Sequence, residues 1–344
     1  MRSSRYATVS TALALLDDDQ LARLVDAAPA TGVGIGGTSA HLDVDGVPVF
    51  VKRIPLTDLE RRHVRSTANL FDLPVHSQYG VGGPGFGAWR ELAANTMTTN
   101  WVLAGQTEAF PLLYHWRVLP GAPQPSEEHA DIDATVAYWG GSAAVRARLT
   151  AVAAASASLV LFSEYVPHNL SEWLRGHADV PAACAMLEGQ MREAVAFMNA
   201  HDLLHFDAHF RNLLTDGERL YVTDLGLATS PRFDLSPEEA AFVDRNAGHD
   251  AAYALMLLVN WLVTNVCGVP VAAQGGPVER NAYIRRCAEG VAPVGVPAEV
   301  AALVVRYAPV AVVMNDFYWE LFGGNPAAPF PAGRVARAMA KCHG

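Results

Sequence analysis

The stretch His205-Phe206-Asp207-Ala208-His209-Phe210-Arg211-Asn212, followed by Thr223-Asp224-Leu225-Gly226, decides how this chain is read. It sets an Asp, a carboxamide five residues on, and a second Asp directly before a Leu-Gly pair. Asp and Asn are common turn residues, so each half alone says little. Joined across an apolar strand, they offer one general base and two oxygen ligands for a hard cation. That is the division of labour needed to move the γ-phosphoryl group of ATP onto an acceptor hydroxyl. Asp207 is the expected base, and Asn212 and Asp224 are the expected Mg2+ ligands.

Upstream residues supply what such chemistry further requires. Residues 40–44 and 47–54 alternate as two strands joined at Asp45-Gly46, a hairpin dipeptide. Gly32-Val33-Gly34-Ile35-Gly36-Gly37 precedes them, and Gly32, Gly34 and Gly37 let backbone amides approach phosphates unobstructed. A dinucleotide-binding string would lie between a strand and a helix, whereas strands follow this one.

Within Val49-Phe50-Val51-Lys52 an ammonium sits in an apolar strand, which is costly without an anionic partner. Alternation puts Phe50 and Lys52 on one face, Lys52 towards the α- and β-phosphates and Phe50 towards the adenine. An edge-strand Lys reaching solvent is the plain alternative. The partner carboxylate is Glu91, early in a predicted helix over residues 89–103, or Glu60, which is nearer in sequence. Phe162-Ser163-Glu164-Tyr165-Val166-Pro167 reads as an extended linker, with the backbones of Glu164 and Val166 facing the adenine edge.

The remaining pattern is coarser. Residues 15–26 read as a short helix, 110–119 as a strand, and an Ala-rich helical stretch runs to about residue 157. Residues 159–166 form a strand entering the linker. Helices follow at 170–175, 181–201, 237–246 and 251–269, with more to the end. The chain is therefore expected to be α+β, with an antiparallel-sheet part over residues 1–165 and a mainly helical part over 166–344.

Half of the 344 residues are hydrophobic (51%) and 17% are charged, enough for a substantial core. A net charge of −10 argues against non-specific nucleic-acid binding. Cys184, Cys267, Cys287 and Cys342 are isolated, which suits a reducing compartment and no structural zinc. The apolar run 251–269 is interrupted by Asn260, Thr264 and Asn265 and lacks a basic flank, so it reads as a core helix and not a membrane span. The expectation is a cytoplasmic protein with no nucleic-acid or membrane partner.

In this order the motifs resemble the protein-kinase-like superfamily, which includes protein kinases and aminoglycoside phosphotransferases. The resemblance runs from Gly32 to Asp224 and reaches Asp250, which looks like the buried helix Asp that braces the catalytic loop in that fold. It implies a bilobal fold with a sheet-based N-lobe and a helical C-lobe, and ATP with Mg2+ as cofactors. The departures matter as much. Phe206 replaces the Arg of the usual His-Arg-Asp, and no Ala-Pro-Glu follows Asp224, so activation by loop phosphorylation is not expected.

His209 stands where Ser/Thr protein kinases generally carry Lys, and its pattern looks like aminoglycoside and choline kinases. Phe50 points the same way, whereas the Gly-rich and Asp-Leu-Gly strings look more like protein kinases. Three readings follow: a kinase for a small-molecule hydroxyl, a kinase for Ser/Thr of a peptide or protein, and a pseudokinase that binds nucleotide or a partner without transfer. Asp316, Tyr318, Trp319 and Glu320 are candidate acceptor contacts, with packing by Phe317, Trp319 and Phe322 the plainer reading. The Gly80–Gly87 loop reads as a cover for the site or a surface insertion.

Overall fold

The structure, a computed structural model, describes residues 2–34, 36–272 and 274–342. It is α+β and divides into two compact units: Met1–Pro167 with Thr223–Ala240, and His168–Val222 with Ala241–Gly344. The segment Thr223–Ala240 thus packs with the first unit, although its place in the chain had assigned it to the second.

The first unit runs α1 (Arg2–Ala14), α2 (Asp18–Ala27), β1 (Ala30–Gly34), β2 (Gly37–Val44), β3 (Val47–Leu56), α3 (Asp58–Arg62), α4 (Ala88–Leu103), β4 (Leu113–Pro120), α5 (Ile132–Tyr138), α6 (Ala143–Ala153) and β5 (Ala157–Glu164). Its five strands form one antiparallel sheet in the order β1-β2-β3-β5-β4. The β2–β3 turn is the one its dipeptide demands: Asp45 and Gly46 have φ of 52° and 77°, the positive pair that matches strand twist in a two-residue hairpin.

β3 divides its side chains between two cores. Val49 and Val51 pack with Val9 and Leu13 of α1, Leu21 and Val25 of α2, and Val160 and Phe162 of β5. Ile54 and Leu56 face the other way, against Trp89 and Leu92 of α4 and Leu159 and Leu161. β5 is buried on both faces, which is why it reads as a continuous apolar run.

Three expectations are corrected here. The helix expected over 15–26 is α2 alone and starts only at Asp18, because Asp17 caps it: its carboxylate accepts from the Gln20 amide at 2.7 Å, and the Gln20 side chain accepts from the Asp17 amide at 2.9 Å; α1, over Arg2–Ala14, is a helix that was not expected. The Ala-rich stretch breaks where Gly140 and Gly141 take φ of 66° and 76° and end α5. The strand expected from residue 110 begins at Leu113, beyond Pro111, which has no amide to donate.

The second unit contains β6 (His168–Asn169), α7 (Leu170–Gly176), α8 (Val180–Ala200), β7 (Leu213–Thr215) and β8 (Leu220–Val222). α9 (Pro237–Arg245) crosses the division between the units; then come α10 (His249–Asn265), α11 (Val278–Ala288), α12 (Ala298–Phe322) and α13 (Ala332–Lys341). β6, β7 and β8 form a small antiparallel sheet, and residues 205–212 lead into its strand β7. α10 is buried along nearly its whole length, as its composition implied. Among the described residues α12 is the helix long and apolar enough to cross a membrane by length and composition, and Val300, Val304, Ala308, Ala311 and Met314 on it are buried.

Candidate active site

Lys52 lies on the α4 face of β3, as alternation required, and finds two carboxylates there. Its Nζ is 2.7 Å from Glu91 Oε1 and 2.8 Å from Asp224 Oδ1. The Lys52 and Glu91 side chains are 14% and 5% exposed, so this arm is a buried ion pair; Asp224 at 43% is the more solvated partner. Burial works against the ammonium, but the charges of Asp224 and Glu91 outweigh it and hold the Lys52 pKa above its ordinary value. Burial is also the largest influence on Glu91 and pushes its carboxyl upward, while Lys52 pulls it back.

The choice between Glu91 and Glu60 is thereby decided. Glu60 is occupied elsewhere: it completes the capping box of α3, accepts from the Ala88 amide at 2.9 Å at the start of α4, and pairs with Arg148 at 2.9 Å. Those contacts hold its carboxyl below the ordinary range despite burial.

The Gly-rich string forms the β1–β2 connection, with Gly34 opposite Gly37; Ile35 lies outside the described residues. Gly37 has φ of 128°, and a Cβ there would sit 2.0 Å from the Arg53 carbonyl oxygen, so no side chain fits. Gly32 is near Ser39, where a Cβ would meet the hydroxyl at 3.0 Å, and Gly34 borders open space. Gly36 is the position missed: a Cβ on it would come within 3.0 Å of Lys52 Nζ. Gly226 plays a similar part, since its Cβ would press on Glu91 Oε2 at 3.2 Å and Asp224 Oδ1 at 3.3 Å.

Phe50 is half-buried and stands opposite His41 across the hairpin, ring centroids 6.0 Å apart. His41 meets the edge of Tyr165 at 4.7 Å. The sequence singled out Phe50 alone in this aromatic group. Glu164 does more than offer backbone. Its amide donates to the Leu112 carbonyl at 2.8 Å, and it pairs with Val49 at the end of β5. Its buried carboxylate receives Arg2 of α1 at 2.6 Å and Arg5 at 3.2 Å. Val166 is buried at the end of the same segment.

In the second unit the loop His205–Asn212 is a tight, strained turn. Phe206 has φ of 63°, an outlier for a bulky residue, and its ring is fully buried against His249 at 4.8 Å and Phe242 at 5.7 Å. Strain of this kind costs about 1–3 kcal/mol. Asp250 offsets it: its carboxylate accepts from the His205 amide at 2.6 Å and the Phe206 amide at 3.0 Å. Burial would push the Asp250 carboxyl up, but hydrogen bonds from His249 and the His205 amide keep it below the usual range.

Downstream of that brace the Asn212 amide nitrogen donates to the Asp207 carbonyl at 2.9 Å and to Asp207 Oδ2 at 3.3 Å. With its nitrogen turned to Asp207, the carboxamide oxygen is the Asn212 atom that could hold a cation. His209 Nε2 lies 4.0 Å from Asp207 Oδ1, and the His209 carbonyl accepts from the Asn212 amide at 2.7 Å. Tyr253 is the neighbour the sequence missed. Burial, then the charges of Asp207 and Asp250, raise its hydroxyl well above the ordinary range.

The C-terminal cluster does not stay together as a polar surface. Asp316 is taken by Arg285 and by Arg334 at 3.4 Å, and Glu320 accepts from Asn325 at 2.7 Å. Phe317 is buried, whereas Trp319 and Phe322 are 48% and 64% exposed and are not core. Tyr318 reaches His249 Nε2 at 3.0 Å and so belongs to the support of the loop His205–Asn212. The Gly80–Gly87 loop is packed into the first unit through buried Val81 and Phe86, and His129 pins it at the Gly82 carbonyl. Among the described residues no group of three or more His, Cys, Asp or Glu side chains is arranged to hold a metal by itself.

No protein-family model matches this chain, and no curated protein matches it either.

Proposed function

We propose that this chain is an ATP-dependent phosphotransferase of protein-kinase-like, bilobal architecture, acting on an acceptor hydroxyl, with a small molecule favoured over a peptide. The observation that carries the reading is Lys52 held at 2.7 and 2.8 Å by Glu91 and Asp224. A Lys kept charged by a buried carboxylate, on the same strand face as an aromatic and beneath a glycine turn, suits the phosphates of a nucleotide. Phe50 and the carbonyl of Glu164 would take the adenine, and Gly32, Gly34 and Gly37 would line the phosphates.

Asp207 is the group assigned to orient the acceptor hydroxyl and take its proton. Asn212 and Asp224 fit a hard cation, since both end in oxygen donors. Mg2+ bound with the nucleotide would neutralise charge developing on the phosphoryl oxygens. Its remaining ligands would be phosphate oxygens and water, in keeping with a donor set this small. The strained turn at Phe206, clamped by Asp250, fixes where Asp207 begins, and positioning is most of what phosphoryl transfer asks of a protein. Phe206 favours the small-molecule acceptor: buried between His249 and Phe242, it puts a ring where a regulated protein kinase has an Arg for a phosphorylated segment.

The test is transfer from [γ-32P]ATP with Mg2+ to three acceptor classes side by side: aminoglycosides, amino alcohols and Ser/Thr peptides. Label in a small molecule supports the reading, and label in the peptides alone replaces it with the peptide-kinase alternative. Tight ATP binding with no label in any fraction would leave a pseudokinase.

A further inference from the structure

Lys52 takes its two carboxylates from two separate elements, Glu91 from α4 and Asp224 from the segment 223–240. The tie between those elements begins one residue from Glu91. Arg90 is 2% exposed, and its Nη2 meets Glu239 Oε1 at 2.6 Å. Its Nε donates to the Thr67 carbonyl at 2.6 Å, and its guanidinium stacks 4.8 Å over Phe86. Glu239 is fixed in turn, since Oε2 accepts from the Ser236 amide at 2.9 Å. Around this pair, Asp234 donates its amide to Thr67 Oγ1 at 2.8 Å and the Gln78 side chain donates to the Leu227 carbonyl.

A surface ion pair would mean little here, but this one is nearly solvent-free, and either charge left alone would be expensive. The arginine fork also makes three directed contacts that an ammonium could not reproduce. Neither partner is therefore cheaply separated from the other, which keeps the two elements docked.

We propose that the buried Arg90–Glu239 pair is the positioning strut that docks segment 223–240 on α4, so that Glu91 and Asp224 stand together at Lys52 at all times. Arg90 is thereby already paired with this segment, and a charge added to the segment has no vacant role to fill. The importance of the strut for phosphoryl transfer rests on the proposed function; the strut itself does not.

Zero-length carbodiimide coupling on the full chain tests it, because the reagent joins an amine only to a carboxylate already in contact. Lys52 and Lys341 are the only lysines, so the Lys52–Glu91 and Lys52–Asp224 peptides are unambiguous by mass spectrometry. The arms are wild type, Glu239→Gln, and Arg90→Lys, which keeps the charge but loses the fork and adds one amine whose cross-linked peptides differ in mass from those of Lys52; thermal unfolding reports which variants fold. α4 is also held on β3 through Trp89 and Leu92, so the Lys52–Glu91 cross-link is the internal reference. A coupling of ordinary size between linked elements is about 5–150-fold, so the Lys52–Asp224 cross-link should fall against that reference by at least about fivefold in Glu239→Gln. Arg90→Lys should show a smaller loss, and it carries the test where Glu239→Gln does not fold. A wild-type yield of Lys52–Asp224 in a folded variant would overturn the strut, and so would equal loss of both cross-links. The readout needs no phosphate transfer, so an inactive chain that loses the Lys52–Asp224 cross-link would sink the proposed function and keep the strut.

Discussion

Replacing Lys52 with Met tests the physical reasoning at the ion-pair centre, because it removes the charge and keeps the length. The variant leaves Glu91, 5% exposed, with no cation, while Asp224 at 43% exposure can turn to water. Breaking a buried pair costs about 3–5 kcal/mol, and the solvated arm adds about 0–1 kcal/mol. For a unit of this size each kcal/mol lowers Tm by about 2–4 °C, so the variant should melt roughly 6–24 °C lower at pH 8.

The pH dependence gives a sharper check. Burial pushes the Glu91 carboxyl up and Lys52 restrains it, so without Lys52 it rises further. A carboxyl whose folded pKa lies above its unfolded value contributes stability in full below the unfolded pKa and loses it as pH rises through the folded one. The deficit against wild type should therefore shrink on acidification from pH 8 to pH 5, by about 1.4 kcal/mol for each unit of extra shift. Wild-type Lys52, with its pKa raised, is fully charged throughout that window and adds no slope of its own. Urea and thermal unfolding of both proteins at pH 5, 6.5 and 8 measure this. A deficit that is flat or that widens on acidification would refute the account of the pair.

Asp224→Ala should abolish the thermal stabilisation by ATP that depends on Mg2+, worth about 2.7 kcal/mol at a hundred times Kd in the wild type, as read by differential scanning fluorimetry. The two backbone donors bond to different oxygens of Asp250, so Asp250→Asn keeps an acceptor for one and turns an NH2 on the other, and it should cost about 1–3 kcal/mol in urea unfolding. Asp250 also has a depressed folded pKa, so its contribution is present above the unfolded value and is lost as pH falls through the folded one; the variant should lose the matching part of the acid limb. Gly37→Ala forces a Cβ onto the Arg53 carbonyl at 2.0 Å, and should weaken ATP affinity and cost at least about 1–3 kcal/mol of stability; wild-type values in both would remove the Gly37 requirement.

What the sequence made legible was local. The Asp45-Gly46 turn needed positive φ at both positions, and the alternation of Val49, Phe50, Val51 and Lys52 followed from strand geometry. Lys52 demanded a carboxylate, which left Glu60 and Glu91 as candidates. It took the structure to show that Glu60 is spent on α3, α4 and Arg148. The start of α2 was readable in principle, because Asp17 and Gln20 have capping-box spacing. The docking of 223–240 with the first unit was not readable, since Arg90 and Glu239 are joined only by tertiary packing. Nor was the support of Asp207: Tyr318 and His249 are far apart in sequence, and nothing in the pattern says that Phe206 adopts a left-handed backbone. A scarce residue was a signal left unused, as Lys52 is one of two lysines among 25 basic Lys and Arg side chains.

The central claim is that Asp207 serves as the base for transfer of the γ-phosphoryl group of ATP. Single-turnover transfer from [γ-32P]ATP to the acceptor identified in the screen, by wild type and Asp207→Ala at saturating Mg·ATP, tests it most directly. A general base contributes about 10²–10⁴ in rate, so the variant should transfer at least about a hundredfold more slowly while binding ATP as tightly as wild type. Equal rates of transfer in the two proteins would contradict it.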